Sequence, residues 1–288
     1  MICKELGATC IQLPELVLGT WQYQGGVEPL RAGIALGANF IDTAESYGTE
    51  EVVGQAIEGI REKVFLATKV SPRHFRRPDI IRAAEESLRR LKTNYIDLYQ
   101  LHWPNYSVPI GETMAAMEEL VEMGKIRFIG VSNFSRSEME TAQAALSKNR
   151  IVSNQVRYSL IDRTVEYGLL QYCEARQITV LAFSPLASGP ENIHNFDQTD
   201  ILGSVARAVG KSPAQVALSW CVYRKPVIAI FKAAQVKHVK DSCGASGWRL
   251  AREQVEALNK IPFRRRGPLE RFARRVVRRT LQRFGRNM

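Results

Sequence analysis

Short apolar runs rich in β-branched residues alternate along this chain with longer stretches in which apolar residues recur every three or four positions. Runs of the first kind predict buried strands, and stretches of the second kind predict amphipathic helices. Eight such runs occur, at residues 16–21, 39–44, 64–69, 96–102, 127–133, 152–158, 179–186 and 227–232. Helical stretches include residues 79–91, 112–123, 201–209 and 213–223. Repeated strand–helix units predict a parallel sheet.

The number of strands and the length of the chain together narrow the fold. Eight strands in one domain of about 260 residues match a (β/α)8 TIM barrel better than a doubly wound open sheet. The composition agrees with a globular domain, because 45% of the 288 residues are hydrophobic and 24% are charged. We therefore predict an α/β fold with a single barrel domain over residues 1–263.

Each of the eight runs ends at or near a residue that a buried strand rarely carries. These residues are Trp21, Asp42, Lys69, His102, Asn133, Gln155, Ser184 and Lys232. Inside a closed barrel such polar groups would be left without partners. At the carboxyl ends of the strands they instead meet at one mouth, which is where barrel enzymes place their active sites. The pattern thus predicts one functional site.

Four residues at or just beyond these strand ends form a chemically coherent set, namely Asp42, Tyr47, Lys69 and His102. A phenol has a pKa of about 10, and a neighbouring ammonium lowers it by stabilising the phenolate. Lys69 can supply this ammonium, and Asp42 on the next strand can hold Lys69 charged and oriented. His102 can donate a hydrogen bond to a substrate oxygen. The set predicts a proton donor beside a polarised carbonyl, without a nucleophile or a metal.

Each of these residues, taken alone, also has a structural interpretation. Asp42 and Lys69 would form an ordinary ion pair, and Tyr47 would be an ordinary loop tyrosine. The spacing brings all of them to the same mouth, which favours the catalytic interpretation. Trp21 and Trp103 would be core aromatics by default, but they too lie at the mouth and are predicted to form the apolar wall of a substrate pocket.

Seven short motifs, in this order, resemble the signatures of the aldo-keto reductase family. They are GTW at 19–21, NFIDTAESYG at 39–48, ATK at 67–69, LHWP at 101–104, GVSNF at 130–134, NQV at 154–156 and FSPLA at 183–187. The resemblance covers roughly residues 3–260. It implies a TIM barrel that binds NADPH in extended form without a Rossmann domain, and that reduces aldehydes and ketones by hydride transfer.

The resemblance, carried over position by position, also implies roles for individual residues. Tyr47 corresponds to the general acid, Lys69 and Asp42 to the pair that adjusts the pKa of that acid, and His102 to the residue that orients the carbonyl. The cofactor-binding positions that it implies are Thr20, Asp42, Ser132, Asn133, Gln155, Phe183, Ser184, Leu186, Lys232, His238 and Asp241. Phe183 replaces the usual tyrosine, so stacking on the nicotinamide is expected without the hydroxyl.

The preference between NADPH and NADH depends on the end of the eighth run. By the resemblance, Lys232 corresponds to the lysine with which the family binds the 2′-phosphate of NADPH. Ala233 and Ala234 offer no hydroxyl there, and His238 stands where an arginine is commonest in the family. The charge of Lys232 favours NADPH, and NADH remains the alternative cofactor.

Positive charge is concentrated at the C-terminal end. Residues 264–288 contain ten arginines and one acid, so they carry +9 of the total charge of +11. At about 100° per residue, their apolar side chains collect on one side and most of the arginines on the other, which predicts a cationic amphipathic helix. We therefore separate an arginine-rich extension, 264–288, from the barrel. Its predicted role is weak contact with an anionic membrane; the alternative is a helix docked on the barrel.

Other classes of function receive little support. The remaining +2 on residues 1–263 gives no basic face, so no nucleic-acid partner is expected. The five cysteines are odd in number and never form a CxxC pair, which indicates neither a disulfide framework nor a zinc site. No apolar stretch is long enough for a membrane span, and residues 1–6 lead into patterned sequence without the apolar core of a secretory signal, so a cytoplasmic protein is expected.

Two hypotheses from different classes remain. The first is an NADP-dependent enzyme that acts on a small-molecule carbonyl substrate. The second is a cofactor-binding regulatory or scaffold protein of the same fold, with the basic extension as its partner- or membrane-binding element. The complete set of four catalytic candidates favours the enzyme, because a scaffold has no need of a proton donor.

Overall fold

A closed barrel of eight parallel strands organises the protein, whose computed structural model describes residues 1–264. A short antiparallel hairpin, β1 and β2, precedes the barrel. The barrel strands follow one another in chain order from β3 to β10, and β10 closes the ring by pairing with β3. The strands are β1 Cys3–Glu5, β2 Gln12–Pro14, β3 Leu16–Gly19, β4 Phe40–Asp42, β5 Phe65–Val70, β6 Ile96–Leu101, β7 Ile126–Ser132, β8 Ile151–Arg157, β9 Thr179–Phe183 and β10 Val227–Phe231.

Helices alternate with the barrel strands and surround them, as the repeated strand–helix pattern predicts. Two helices, α8 and α9, stand between β9 and β10 together with the short α7. The helices in the described residues are α1 Val27–Ala35, α2 Glu50–Ile57, α3 Arg77–Leu91, α4 Ile110–Glu122, α5 Arg136–Ala144, α6 Leu169–Ala175, α7 Pro190–His194, α8 Ile201–Val209, α9 Pro213–Cys221, α10 Val236–Cys243 and α11 Arg252–Leu258. The TIM-barrel prediction is confirmed.

The inside of the barrel is apolar towards its amino end. Leu6, directly after β1, and Leu13, in β2, pack into a buried cluster with residues of the barrel strands such as Phe40 and Leu98. The hairpin therefore closes the amino end of the barrel. Buried polar side chains such as Asp42, Lys69 and Gln155 lie towards the opposite, carboxyl end of the strands. That end is the open face of the barrel.

Several strands are shorter than the sequence predicts. The run 16–21 ends as a strand at Gly19, and the run 179–186 ends at Phe183. Ser184 has a φ of 51° and Asn133 a φ of 63°, which belong to the left-handed region and cannot continue a strand. Most of the candidate functional residues therefore lie either at the last strand positions or in the first residues of the following loops.

The predicted boundary before residue 264 lies close to the end of the described chain. The Arg264 backbone N–H donates to the carbonyl of Ile161 at 2.8 Å, and its guanidinium lies 6.0 Å from the ring centroid of Phe196. Ile161 lies in the loop after β8, and Phe196 lies between α7 and α8 in the segment that connects β9 to α8 at the open face. The predicted amphipathic helix of the extension lies outside the described residues from 265 onward.

Candidate active site

The four catalytic candidates come from three consecutive strand–loop units and meet at the open face. Asp42 ends β4, and Tyr47 ends the short 3-10 turn that follows. Lys69 lies in β5, and His102 directly follows β6. The Lys69 ammonium donates to Asp42 Oδ2 at 2.7 Å and lies 4.9 Å from the ring centroid of Tyr47. The Tyr47 hydroxyl is 3.4 Å from His102 Nε2.

Lys69 is fully buried and nevertheless remains charged. Burial alone would lower its pKa, but the opposing effects of Asp42 and Tyr47 are larger, so the pKa of Lys69 is raised above its ordinary value. Its ammonium also donates to the backbone carbonyl of Thr43 at 2.7 Å. These contacts hold the positive charge beside the phenol ring.

The phenol of Tyr47 is a weaker acid than sequence reasoning predicts. Lys69 does lower the pKa of Tyr47, as expected, but burial raises it by more and the charge of Asp42 also raises it. The net pKa is therefore above the ordinary value rather than below it. Tyr47 consequently keeps its proton at neutral pH, which is the state that a proton donor needs.

His102 is neutral in this environment. Burial, followed by the positive charge of Lys69, lowers the pKa of His102 to about 3. The side-chain amide of Asn133 donates to the backbone carbonyl of His102 at 3.2 Å. The rings of His102 and Trp103 stack with centroids 6.4 Å apart. A neutral imidazole with Nε2 beside the phenol can donate one hydrogen bond to a ligand.

Two buried glutamines complete the hydrogen bonds of the Asp42 carboxylate. Gln155 Nε2 donates to Asp42 Oδ1 at 2.8 Å, and Gln100 Nε2 donates to the same oxygen at 3.1 Å. Gln155 was predicted only as a cofactor ligand, whereas Gln100 was missed. Its sequence signal is an amide within the buried run 96–102, two positions before His102, so both residues face the same side of the strand.

The predicted carboxamide-binding residues also lie together. Ser132 and Gln155 are register partners in β7 and β8, and the Ser132 hydroxyl donates to the Gln155 backbone carbonyl at 3.0 Å. The Asn133 side-chain amide donates to Ser132 Oγ at 2.9 Å. Phe183 ends the neighbouring β9, where it pairs in register with Arg157. The Arg157 guanidinium lies 5.2 Å from the Phe183 ring centroid.

The other predicted cofactor residues are more dispersed. Thr20 is buried and donates to the Asp42 backbone carbonyl at 3.2 Å. Leu186 is half-buried and packs on the core two residues after Ser184. The Lys232 ammonium is 6.0 Å from the Trp21 ring centroid and so spans the gap between the loops after β3 and β10.

Two predicted residues on α10 differ in their surroundings. His238 is exposed, whereas Asp241 is half-buried and accepts a 3.2 Å hydrogen bond from the Ser212 hydroxyl at the start of α9. Trp21, predicted to wall the substrate pocket, is 52% exposed, and Trp103 is half-buried. The described residues contain no group of three or more histidines, cysteines, aspartates or glutamates arranged to hold a metal ion.

His74, in the loop after β5, is paired with a carboxylate from the loop after β4. Its Nδ1 is 3.0 Å from Glu45 Oε1, and the same oxygen accepts from the Ser71 backbone N–H at 2.6 Å. Glu45 begins the turn that ends at Tyr47. These contacts tie the Tyr47 turn to the loop after β5, a long-range pairing that no local pattern indicates. No helix among residues 1–264 is long and apolar enough to span a membrane.

Comparison with known proteins identifies the family. The profile of the Aldo/keto reductase family matches residues 15–262. Methylglyoxal reductase YeaE of Escherichia coli is 41% identical over 260 residues, covering 87% of this chain and 91% of YeaE. Aldo-keto reductase YhdN of Bacillus subtilis is 34% identical over 308 residues, covering 89% and 92%.

Solved structures lead to the same family. An aldo-keto reductase from Klebsiella pneumoniae, solved in complex with NADPH, has a TM-score of 0.85 and 40% identity, covering 92% of this chain and 98% of that one. The chain belongs to the aldo/keto reductase family and is an oxidoreductase, which confirms the family that the motifs resemble.

Proposed function

We propose that the protein reduces aldehydes or ketones to alcohols with NADPH, and that Tyr47 is the general acid. The observation that carries this proposal is the buried Lys69 ammonium, which contacts Asp42 on one side and lies beside Tyr47 on the other. Neutral His102 adds a second hydrogen-bond donor next to the phenol. Together these groups can polarise a carbonyl oxygen and protonate it.

The arrangement suggests an order of events at the substrate oxygen. A carbonyl oxygen that contacts both Tyr47 and His102 accepts a hydrogen bond from each. The nicotinamide, when bound, supplies hydride to the carbonyl carbon. As negative charge grows on the oxygen, Tyr47 transfers its proton to it, and Lys69 stabilises the phenolate that remains. Burial keeps the phenol protonated until that charge develops.

The residues at the ends of β7, β8 and β9 fit a nicotinamide cofactor. Hydroxyl and amide groups of Ser132, Asn133 and Gln155 suit its carboxamide, and the flat ring of Phe183 suits stacking on the nicotinamide. Ser184 and Leu186 follow Phe183 and are proposed to contact the pyrophosphate. The remaining proposed contacts are Thr20 and Asp42 near the ring, and Lys232, His238 and Asp241 towards the adenosine end.

The substrate class is proposed from the relatives. A methylglyoxal reductase is 41% identical to this chain, so small dicarbonyl compounds are the first substrates to test. Trp21 and Trp103, which are exposed and half-buried at the mouth, are proposed as an apolar wall of the pocket. Such a wall would pack against the carbon chain of a substrate while its oxygen contacts Tyr47.

The test is oxidation of NADPH by the full-length protein in the presence of methylglyoxal and a panel of aldehydes, ketones and other dicarbonyls. We expect carbonyl-dependent oxidation with at least one class of substrate. Tight NADPH binding without turnover across the whole panel would contradict the enzyme proposal and support a cofactor-binding regulatory protein.

A further inference from the structure

Gln100 is a polar side chain in an otherwise apolar strand. It lies in β6, which is buried along its whole length, and its own exposure is zero. Its side-chain nitrogen donates to Asp42 Oδ1, and its side-chain oxygen has no hydrogen-bond partner among the described residues. A buried amide with half of its hydrogen-bonding capacity unused lowers stability relative to an apolar side chain of the same size. The one hydrogen bond that the buried amide makes among the described residues is the one it donates to Asp42.

The position of Gln100 connects it to the catalytic candidates. Gln100 is the register partner of Lys69 on β5, and its amide reaches Asp42 on β4. Asp42 thus receives donors from three strands: Lys69 on one oxygen, and Gln100 with Gln155 on the other. Three donors in different directions leave the carboxylate a single orientation, with Oδ2 facing the Lys69 ammonium.

The neighbouring strand leaves room for this side chain. Gly130 on β7 is the other register partner of Gln100. A Cβ at Gly130 would lie 2.9 Å from Gln100 Cγ and 2.6 Å from the Ser153 hydroxyl, which is closer than such atoms approach. The glycine therefore makes the space that the Gln100 side chain occupies inside the barrel.

We propose that Gln100 is a positioning residue for carbonyl reduction, which holds the Asp42 carboxylate so that the Lys69 ammonium stays fixed beside Tyr47. The inference rests on the proposed function, because it assigns Gln100 an effect on the proton donor of that reaction. Gln100 acts through Asp42 and Lys69 and does not itself touch the substrate.

Removing the Gln100 amide should change the pKa of Tyr47 in one direction only. The negative charge of Asp42 raises the pKa of Tyr47, while the positive charge of Lys69 lowers it. A hydrogen bond donated to Asp42 withdraws part of its negative charge and keeps Lys69 in place. Removing this donor strengthens the first effect and weakens the second, so the pKa of Tyr47 should rise further.

The first experiment removes the amide and keeps its volume. For Gln100→Met we expect kcat to fall about tenfold, the loss typical of a hydrogen bond to a charged group. KM should stay within a factor of about two, and the melting temperature should be unchanged or higher, because an unsatisfied buried oxygen is removed. Ser153→Ala is the matched control, since Ser153 is buried beside Gly130 like Gln100, and its hydroxyl makes no hydrogen bond among the described residues. It should keep wild-type kcat.

A second variant tests the chemistry of the contact. Gln100→Glu keeps the shape of the side chain but places a carboxyl group against Asp42. When protonated, that group can still donate to Asp42, and when ionised it repels it. We expect an additional ionisation in the pH profile of kcat, with activity lost as the pH rises through it. Neither the wild type nor Gln100→Met should show this step.

A third readout needs no turnover. The titration of Tyr47 is followed by NMR of ring-labelled tyrosine, with Tyr47→Phe versions to assign the signal, and Gln100→Met should shift it upwards. An unchanged Tyr47 titration, a kcat of Gln100→Met within twofold of wild type, or a lower melting temperature with unchanged pH dependence would overturn the inference. If the wild type does not reduce carbonyl compounds, the proposed function is wrong. The Tyr47 titration needs no turnover, so it still tests separately whether Gln100 positions Asp42 and Lys69.

Discussion

Lys69 and His102 are both nitrogen bases buried at the same site, yet they carry different charges. Lys69 has the Asp42 carboxylate at 2.7 Å, and this contact, with Tyr47, outweighs the effect of burial on its pKa. The main charge acting on His102 is that of Lys69, which adds to burial and lowers its pKa to about 3. A single carboxylate therefore decides which base is charged and which can act as a neutral donor.

The first prediction concerns the proton donor. Tyr47→Phe should lower kcat for carbonyl reduction by about 10² or more, the range typical of general acid catalysis, because the phenol supplies the proton in the transition state. NADPH affinity should change little. Steady-state kinetics and cofactor titration measure the two effects separately. Tyr23→Phe serves as the control, because the hydroxyl of the buried Tyr23 donates to the backbone carbonyl of Gly26 at 2.9 Å. Turnover of Tyr47→Phe within about threefold of wild type would be incompatible with the assignment.

The second prediction concerns the neutral state of His102. In the unfolded chain its pKa returns to 6.5, whereas in the folded protein it is about 3. Below pH 6.5 the unfolded state therefore binds a proton that the folded state excludes, and the free energy of unfolding decreases as the pH falls towards 3. Above pH 6.5, His102 is neutral in both the folded and the unfolded state, so it no longer lowers the free energy of unfolding.

The comparison of wild type with His102→Gln isolates this contribution. Between about pH 7 and pH 5 the wild type should lose up to about 2 kcal/mol more unfolding free energy than the variant. Urea unfolding at both pH values measures the difference. Parallel pH dependence of the two proteins would mean that His102 takes up its proton over the same pH range in the folded and the unfolded state, which contradicts a lowered pKa in the folded protein.

At the scale of elements, local pattern predicts type and order well. The helix over 201–209 has the predicted bounds, and that over 79–91 begins two residues earlier, at Arg77. Strand ends are less accurate, because some of the residues that mark the mouth, such as Trp21 and Ser184, already belong to loops. The contacts of Gln100 with Asp42 and of Glu45 with His74 join separate strand–loop units. Period and spacing contain no information on such pairs, which only the closed barrel brings together.

The third prediction belongs to the end of β10 and the helix that follows. NADPH should bind more tightly than NADH, and Lys232→Ala should remove most of that preference, about tenfold in Kd or more. The reason is that Lys232 is exposed at the mouth, while Ala233 and Ala234 have no side-chain donors for a phosphate.

Titration of both cofactors by fluorescence quenching measures this preference. Lys240→Ala is the matched control, because Lys240 is an exposed lysine in the last turn of α10. It should leave the ratio of the two affinities unchanged. Equal affinities of the wild type for NADPH and NADH would show that the site has already lost its preference for the phosphate.

At the scale of the whole molecule, charge and catalytic chemistry are separated along the chain. The barrel region, 1–263, contains every catalytic candidate and carries a net charge of only +2, whereas residues 264–288 carry +9. Arg264 contacts loops at the open face, so the extension starts on the same side of the barrel as the site. Because all four catalytic candidates precede residue 264, a role of the extension in attachment can be tested by changing the extension alone.

The fourth prediction is that the extension binds anionic membranes. In the helix that the sequence predicts for it, an apolar stripe would lie opposite most of the arginines. Such a stripe would gain from insertion into a lipid surface but gain nothing from nucleic acid. Each arginine near an anionic bilayer contributes about 1 kcal/mol, so several give binding that weakens as salt increases. Full-length protein should co-sediment with anionic vesicles at low salt, less at high salt, and little with neutral vesicles.

A chain that ends at Phe263, and a full-length variant with the arginines of 265–288 replaced by glutamine, should stay in the supernatant while keeping carbonyl reduction. Equal sedimentation of wild type and both variants, or a wild type that remains soluble with anionic vesicles at low salt, would favour a helix docked on the barrel instead.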